Sequence, residues 1–149
     1  MKILEGSQNA SQDRDTFFKT QLVFWLLAAI DGHAKNFSLF LEPGSAYRMT
    51  PLYDVISAYP LMDHDSLAPA RAKMLPRHFL STAKAMGFSP TRAAAIMEET
   101  VAQTESVIES VNARLPNGFP AKVADPILTG LRAQAQKVGS DPDHFIPFN

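Results

Sequence analysis

Three side chains in the first third of the sequence have the types and the spacing that phosphoryl transfer needs. Asp31 and Asn36 stand five residues apart, and Asp54 follows after two short strand-like runs. Kinase catalytic loops place a base and a metal-binding amide at that interval, and a second metal-binding carboxylate follows them. The pattern predicts that Asp31 orients an attacking hydroxyl, and that Asn36 and Asp54 are ligands of Mg²⁺.

The same residues also have an ordinary structural interpretation. An Asp-x-x-x-x-Asn pattern is common by chance. In that interpretation Asp31 is a loop residue after a helix, Asn36 forms a turn and Asp54 caps a helix. The spacing alone does not separate the two interpretations.

The element that would carry the loop is a helix that is apolar on nearly all sides. Ser11 or Asp13 is expected to cap its start, after a polar connector at residues 1–9. The longest apolar run, residues 22–30, predicts a central rather than a peripheral helix. The helix is expected to end at Asp31-Gly32, where glycine can adopt the left-handed conformation.

A hairpin is predicted next. Residues 37–41 and 46–49 have strand-like composition, and Pro43-Gly44 between them predicts a turn. Such a hairpin would bring Asp54 back beside Asn36, as shared metal ligation requires.

The second half of the chain predicts three helices. The first ends at Gly87, and Ser89-Pro90 caps and begins the next. The apolar residues recurring at helical spacing are Phe79, Leu80, Ala83 and Met86 in the first helix, Met97, Val101, Thr104, Ile108, Val111 and Leu115 in the second, and Val123, Ile127 and Leu131 in the third.

Several stretches together resemble one family. The run Asp31-Gly32-His33-Ala34-Lys35-Asn36-Phe37-Ser38, with residues 24–27, 47–58 and 76–80, closely resembles the C-terminal lobe of HipA-family kinases. These are the serine/threonine kinase toxins of bacterial toxin–antitoxin modules. The resemblance covers nearly the whole chain. It implies a mainly α fold, a protein-kinase-like C-terminal lobe built as a helical bundle with a small β-hairpin at the catalytic loop.

The resemblance also implies a division of the chain and two cofactors, ATP and Mg²⁺. Residues 1–14 would be a connector, 15–58 the catalytic helix, loop and hairpin, and 76–138 a helical subdomain. The sequence has no phosphate-cradling glycine loop and no matching strand lysine, so the N-terminal nucleotide-binding lobe is expected to be absent. We therefore expect the isolated chain to be inactive as a kinase.

For two loop residues the sequence leaves both a functional and a structural role open. Lys35 lies between two metal-site candidates, where its ammonium would neutralise γ-phosphate charge, and the alternative is a solvated surface lysine. The resemblance places His33 in the nucleotide-facing loop. The alternative is that its ring bonds to the backbone and braces that loop.

The partners follow from the resemblance. They are a HipB-like helix-turn-helix antitoxin and a bacterial protein substrate, which is glutamyl-tRNA synthetase in the best-known branch. Arg77 and Lys84 would contact operator DNA, joined by Lys73 if its helix begins before Pro76, and the alternative is that these are ordinary surface cations. Two other functions remain open: a catalytically idle module that binds an antitoxin or DNA, and a lobe of a small-molecule or lipid kinase.

Composition limits the remaining classes. The 149 residues include no cysteine, which excludes a disulfide framework, thiol chemistry and a Cys-based zinc site. A formal net charge of −1 gives no global attraction to nucleic acid. The apolar run at residues 22–30 is shorter than the roughly 20 residues of a membrane span, so a cytoplasmic protein is expected.

Overall fold

The computed structural model describes residues 2–62 and 76–140, and within these ranges it has six α-helices and one antiparallel β-hairpin. This confirms the mainly helical prediction with a small two-stranded hairpin. The elements are α1 (Lys2–Glu5), α2 (Ala10–Leu26), β1 (Leu39–Glu42), β2 (Ala46–Met49), α3 (Pro76–Ala85), α4 (Pro90–Ala102), α5 (Thr104–Asn112) and α6 (Ala121–Gly139).

Helix α2 is central, as predicted, because it contacts α1, β2, α4 and α6. Its buried Phe18, Leu22 and Leu26 join the apolar faces of α3, α4 and α6 in one core. Its N-cap is Asn9, so the prediction that Ser11 or Asp13 caps the helix is wrong.

The predicted end of α2 at Asp31-Gly32 is also wrong, because the helix ends at Leu26. The left-handed residue is Ala28, with a φ of 50°, rather than Gly32. The physical reason is tertiary. Ser57 Oγ donates to the Leu27 carbonyl at 2.7 Å. The Ala58 N–H donates to the Ala28 carbonyl, and Tyr59 Oη donates to the Leu26 carbonyl. Hydrogen bonds from a distant segment therefore satisfy the carbonyls at the end of the helix.

Residues 2–9, part of the predicted polar connector, fold onto the hairpin. Gln8 N donates to the Tyr47 carbonyl at 2.9 Å, and Tyr47 Oη donates to the Ile3 carbonyl at 2.6 Å. Leu4 is buried. The segment therefore covers the open edge of β2, whose backbone groups would otherwise lack partners.

The hairpin forms where the sequence predicts it, with Leu39 opposite Met49 and Glu42 opposite Ala46. Residues 43–45 make the turn, and Gly44 has a φ of 77°. Residues 50–56 then run without regular structure, so Asp54 is in a loop.

In the helical half, α3 and the start of α4 confirm the predictions. Phe79, Leu80 and Ala83 are buried, and Ser89 Oγ accepts from Arg92 N at 3.2 Å as an N-cap. The prediction that one helix begins at Ser89-Pro90 and reaches Leu115 is wrong. The segment divides between α4 and α5 at residue 103, and residue 115 follows the end of α5.

Two threonines lie on either side of that division. Thr100 Oγ1 donates to the Ile96 carbonyl at 2.6 Å, and Thr104 Oγ1 donates to the Thr100 carbonyl at 3.2 Å. Such back-bonding to the preceding turn bends helices.

Helix α6 continues through Pro126, and its buried stripe differs from the predicted one. Val123, Ile127 and Leu131 are only half-buried. The buried residues are Ala124, Leu128, Gln134, Ala135 and Val138. Both sets have helical spacing, so periodicity alone could not choose between them.

Across residues 2–62 and 76–140, no helix combines the length and the apolar character needed to cross a membrane.

Candidate metal and phosphoryl-transfer site

The loop that follows α2 is held against that helix by aromatic packing. Phe37 lies with its ring centroid 4.9 Å from that of Phe17 and 6.0 Å from that of Phe24. Gly32 lies so close to Phe24 that a Cβ at this position would overlap the ring. Glycine is therefore required here for close approach, and the loop between Gly32 and Phe37 is anchored at both ends.

Asn36 and Asp54 lie side by side, as the hairpin predicts. Asn36 Nδ2 donates to the Asp54 backbone carbonyl at 3.1 Å and lies 3.4 Å from Asp54 Oδ2. Asn36 is only 2% exposed, whereas Asp54 is exposed. The Asn36 side-chain amide thus fixes the position of the Asp54 peptide carbonyl.

Asn36 Oδ1 is buried and has no hydrogen-bond partner among the described residues. Because a carbonyl can only accept, the bond to Asp54 assigns Nδ2 as the inward donor and leaves Oδ1 free. A buried oxygen of this kind costs free energy unless something binds it. An amide oxygen beside a carboxylate fits Mg²⁺, which takes few protein ligands and completes its shell with water and phosphates.

Asp54 has a φ of 56°, in the left-handed region. Aspartate tolerates this conformation better than most residues do, yet it still costs free energy. In the described part of the chain, no group of three or more His, Cys, Asp or Glu side chains is placed to hold a metal ion. The Asn36–Asp54 pair alone would supply two protein ligands, and bound phosphates and water would have to supply the rest.

Asp31 is on the outer side of the same loop, and its side chain is 81% exposed. His33 Nε2 lies 3.8 Å from Asp31 Oδ1. Within residues 2–62 and 76–140, this carboxylate is the charged group that the His33 ring contacts, and no backbone group forms a hydrogen bond with the ring. The ring therefore neighbours the candidate base.

Lys35 is exposed, and a hydrogen bond holds its backbone rather than its side chain in place. Tyr53 Oη donates to the Lys35 carbonyl at 2.8 Å and lies 2.7 Å from Ser38 Oγ. This bridge joins the residue before Asp54 to both sides of Asn36, and leaves the ammonium free to face solvent.

The segment after Asp54 is fixed to the helical half. Tyr59 is buried, and its Oη donates to the Leu26 carbonyl at 3.1 Å. Its ring lies over Gly130 of α6, where a Cβ would overlap it. Ile127 packs against the same small cluster. Helix α6 thereby supports the segment that carries Asp54.

The residues predicted to bind DNA lie away from this loop. Arg77 and Lys84 are both exposed on α3, seven residues apart, which places them on one face of that helix. Lys73 lies outside the described residues. The two cations are on the same element, and the structure brings neither into the site.

Sequence reasoning missed the residues that position the loop: Ser7, Asp13, Tyr53, Ser57 and Tyr59. Asp13 was treated as a helix cap, yet it is buried and bonds to the hairpin. A signal existed, because Asp13 lies seven residues before Thr20 and eleven before Phe24, on the stripe of α2 that faces inward. A carboxylate on a buried stripe predicts a specific polar partner.

A comparison with known protein families supports the resemblance seen in the loop residues. The sequence profile of the HipA-like C-terminal domain matches residues 1–108, which extend from α1 into α5 and include the loop and the hairpin. The match covers more than two thirds of the chain and agrees with the resemblance of the motif around Asp31 and Asn36. The chain belongs to the HipA-like C-terminal domain family.

Proposed function

We propose that this chain is the C-terminal catalytic lobe of a HipA-like serine/threonine protein kinase. The reaction would move the γ-phosphoryl group of ATP to a serine or threonine hydroxyl, releasing ADP. The observation that carries the proposal is the buried Asn36 amide, whose Nδ2 lies beside Asp54 and whose Oδ1 has no partner among the described residues. Family membership supports the same assignment.

Each residue would have a distinct role. Asn36 Oδ1 and the Asp54 carboxylate would hold Mg²⁺, which supplies charge neutralisation on the nucleotide phosphates. Asp31 would orient the acceptor hydroxyl and take its proton, and its high exposure suits a group that must meet a protein substrate. Lys35 would place a cation toward the transferred phosphate. His33, beside Asp31, would line the same nucleotide-facing loop.

The remaining assignments are proposals that the family supports. The glycine-rich loop and the nucleotide-facing lysine would come from an N-terminal lobe, so this chain alone should transfer no phosphate. A HipB-like antitoxin would restrain a toxin kinase acting in the cytoplasm on a protein such as glutamyl-tRNA synthetase. Arg77 and Lys84 would contact operator DNA in the complex.

The test separates the base from the metal ligands. The lobe is joined to the N-terminal part of the kinase, and phosphate transfer and Mg–ATP binding are both measured for the wild type, Asp31→Asn and Asp54→Asn. Asp31→Asn should abolish transfer and keep binding, because the base does not hold the nucleotide. Asp54→Asn should lose both. Glu98→Gln, on the exposed face of α4, is the control and should keep both.

Two outcomes would favour another function. If Asp31→Asn transfers phosphate at the wild-type rate, Asp31 is not the base. If the joined wild-type protein binds no Mg–ATP, the site is scaffolding and the binding-module alternative replaces the kinase. Transfer to a small molecule or a lipid, with no transfer to protein, would indicate the third class.

A further inference from the structure

Asp13 is a buried carboxylate outside the proposed catalytic set. It is 7% exposed, and its Oδ2 accepts from two donors: the backbone N–H of Met49 at 2.8 Å and the hydroxyl of Ser7. It lies in the first turn of α2, where the positive end of the helix dipole favours an anion. One oxygen thus joins α2, the amino-terminal segment and β2.

Met49, the β2 residue that donates to Asp13, is the last residue of the strand before the loop that carries Asp54. Met49 ends β2 and pairs with Leu39, so this rung closes the end of the hairpin from which the chain runs back to Asn36 and on to Asp54. Thr50 N donates to the Ser38 carbonyl at 3.0 Å, and because donors alternate along an antiparallel strand, the Met49 N–H points away from β1. Asp13 accepts that outward N–H.

We infer that Asp13 is a positioning residue for the candidate metal ligand Asp54, which acts by fixing the Met49 rung to α2. The inference rests on the proposed function. Asp54 lies five residues after Met49 in a loop, so its place depends on where β2 ends. Bonds to an ionised acceptor are about twice as strong as neutral ones, which suits a carboxylate at this position.

The experiment uses the chain itself, labelled for NMR and titrated with Mn²⁺ as a paramagnetic probe. Broadening of the Asn36 and Asp54 signals reports metal binding, and signals of the Met97 methyl in the core report the folded population. A contact between the Asn36 side-chain amide and Asp54 reports the geometry without metal. The variants are Asp13→Ala, Asp13→Asn and Ser7→Ala. Asp15→Ala is the matched control, because it removes a carboxylate two residues away that pairs with Arg92 instead.

Asp13→Ala should raise the Mn²⁺ concentration for half-broadening roughly 10-fold, the scale at which loss of a group that orients a metal ligand acts. It should also weaken the Asn36–Asp54 contact, while the core signals stay folded. Asp13→Asn should lie nearer the wild type, because its amide oxygen can accept the same two bonds. Ser7→Ala removes one donor and should fall between them. These two variants decide the question if Asp13→Ala fails to fold.

The outcomes distinguish the inference from the function it rests on. If Asp13→Ala and Ser7→Ala bind Mn²⁺ as the wild type does, the inference is wrong and the metal site stands. If the Asn36–Asp54 contact is intact in every variant, the inference is likewise overturned. If the wild type shows no broadening at Asn36 or Asp54, the proposed metal site is wrong, and the positioning role is wrong with it.

Discussion

The helical half, residues 76–140 together with α2, and the loop half, residues 27–59, are held together by different forces. Among residues 2–62 and 76–140, the thirteen buried residues of the main core all come from the helical half. The loop half contributes Ala28, Ala58 and Tyr59 to a small second cluster. It also packs Phe37 against two aromatic rings of α2, and polar bonds from single side chains fix other parts of it. The comparison indicates that stability is concentrated in one half and the candidate chemistry in the other.

The largest effect should come from the core of the helical half. Met97 has no exposed surface and packs in the main cluster. Met97→Ala should lower the free energy of unfolding by about 2–5 kcal/mol, because it leaves a cavity. Urea denaturation measures the change. Val107→Ala on α5, at a position 46% exposed, is the control and should change stability by less than about 0.5 kcal/mol. Equal effects at the two positions would contradict the placement of Met97 in the core of the helical half.

The contact between the halves at Gly130 predicts whether a substitution there stabilises or destabilises the protein. In a helix interior, Gly→Ala normally stabilises by roughly 0.5–1 kcal/mol. Here the added methyl would overlap the Tyr59 ring, so Gly130→Ala should destabilise by about 1–3 kcal/mol. Thermal or urea unfolding measures it. In a Tyr59→Ala background the same substitution should stabilise, and stabilisation in the wild-type background would show that the ring does not lie over α6.

A change in the loop half should separate stability from binding. Asp54→Gly removes the carboxylate and also relieves the left-handed φ of 56°. The free energy of unfolding should stay within about 1 kcal/mol of the wild type or rise. Mn²⁺ broadening at Asn36 should disappear. Asp54→Ala is the matched variant, since it loses the metal equally but keeps the strained backbone and should be the less stable of the two. If Asp54→Gly unfolds the helical half, the two halves are not independent.

The smallest effect concerns an exposed ion pair of the helical half. Hydrogen bonds from Arg132, at 2.8 and 2.9 Å, hold the pKa of Glu105 below its usual range. A carboxyl with a lowered folded pKa adds stability above its unfolded pKa, and that stability is lost as the pH falls through the folded value. The pair should therefore contribute at neutral pH and lose its contribution in acid, by little because both groups are exposed. NMR titration of Glu105 should show its pKa return toward the ordinary range in Arg132→Gln, and an unchanged pKa would contradict the pairing.

The two halves also differ in how far the sequence predicts them. Phe79, Leu80 and Ala83 are buried where helical spacing places them, and Ser89 caps α4, because both signals are local. In the loop half, Pro43-Gly44 predicts the hairpin, and the hairpin predicts that Asp54 lies beside Asn36.

The parts that sequence could not predict depend on distant partners. Helix α2 ends at Leu26, where residues 57–59, some thirty positions later, bond to the carbonyls of residues 26–28. Asp13 has the composition of a helix cap, and only the fold brings the Met49 N–H to its carboxylate. A periodic pattern carries no information on such pairings.

The most direct test of the central claim is calorimetry of Mg–ATP binding to the lobe joined to the N-terminal part of its kinase, for the wild type and Asp54→Asn. The residue assignments predict that the wild type binds and that Asp54→Asn loses at least about tenfold in affinity, equivalent to roughly 1.4 kcal/mol. The chain alone should bind far more weakly than the joined protein. Equal binding by the wild type and Asp54→Asn, or no binding by either, would contradict the assignment of Asn36 and Asp54 as the metal ligands.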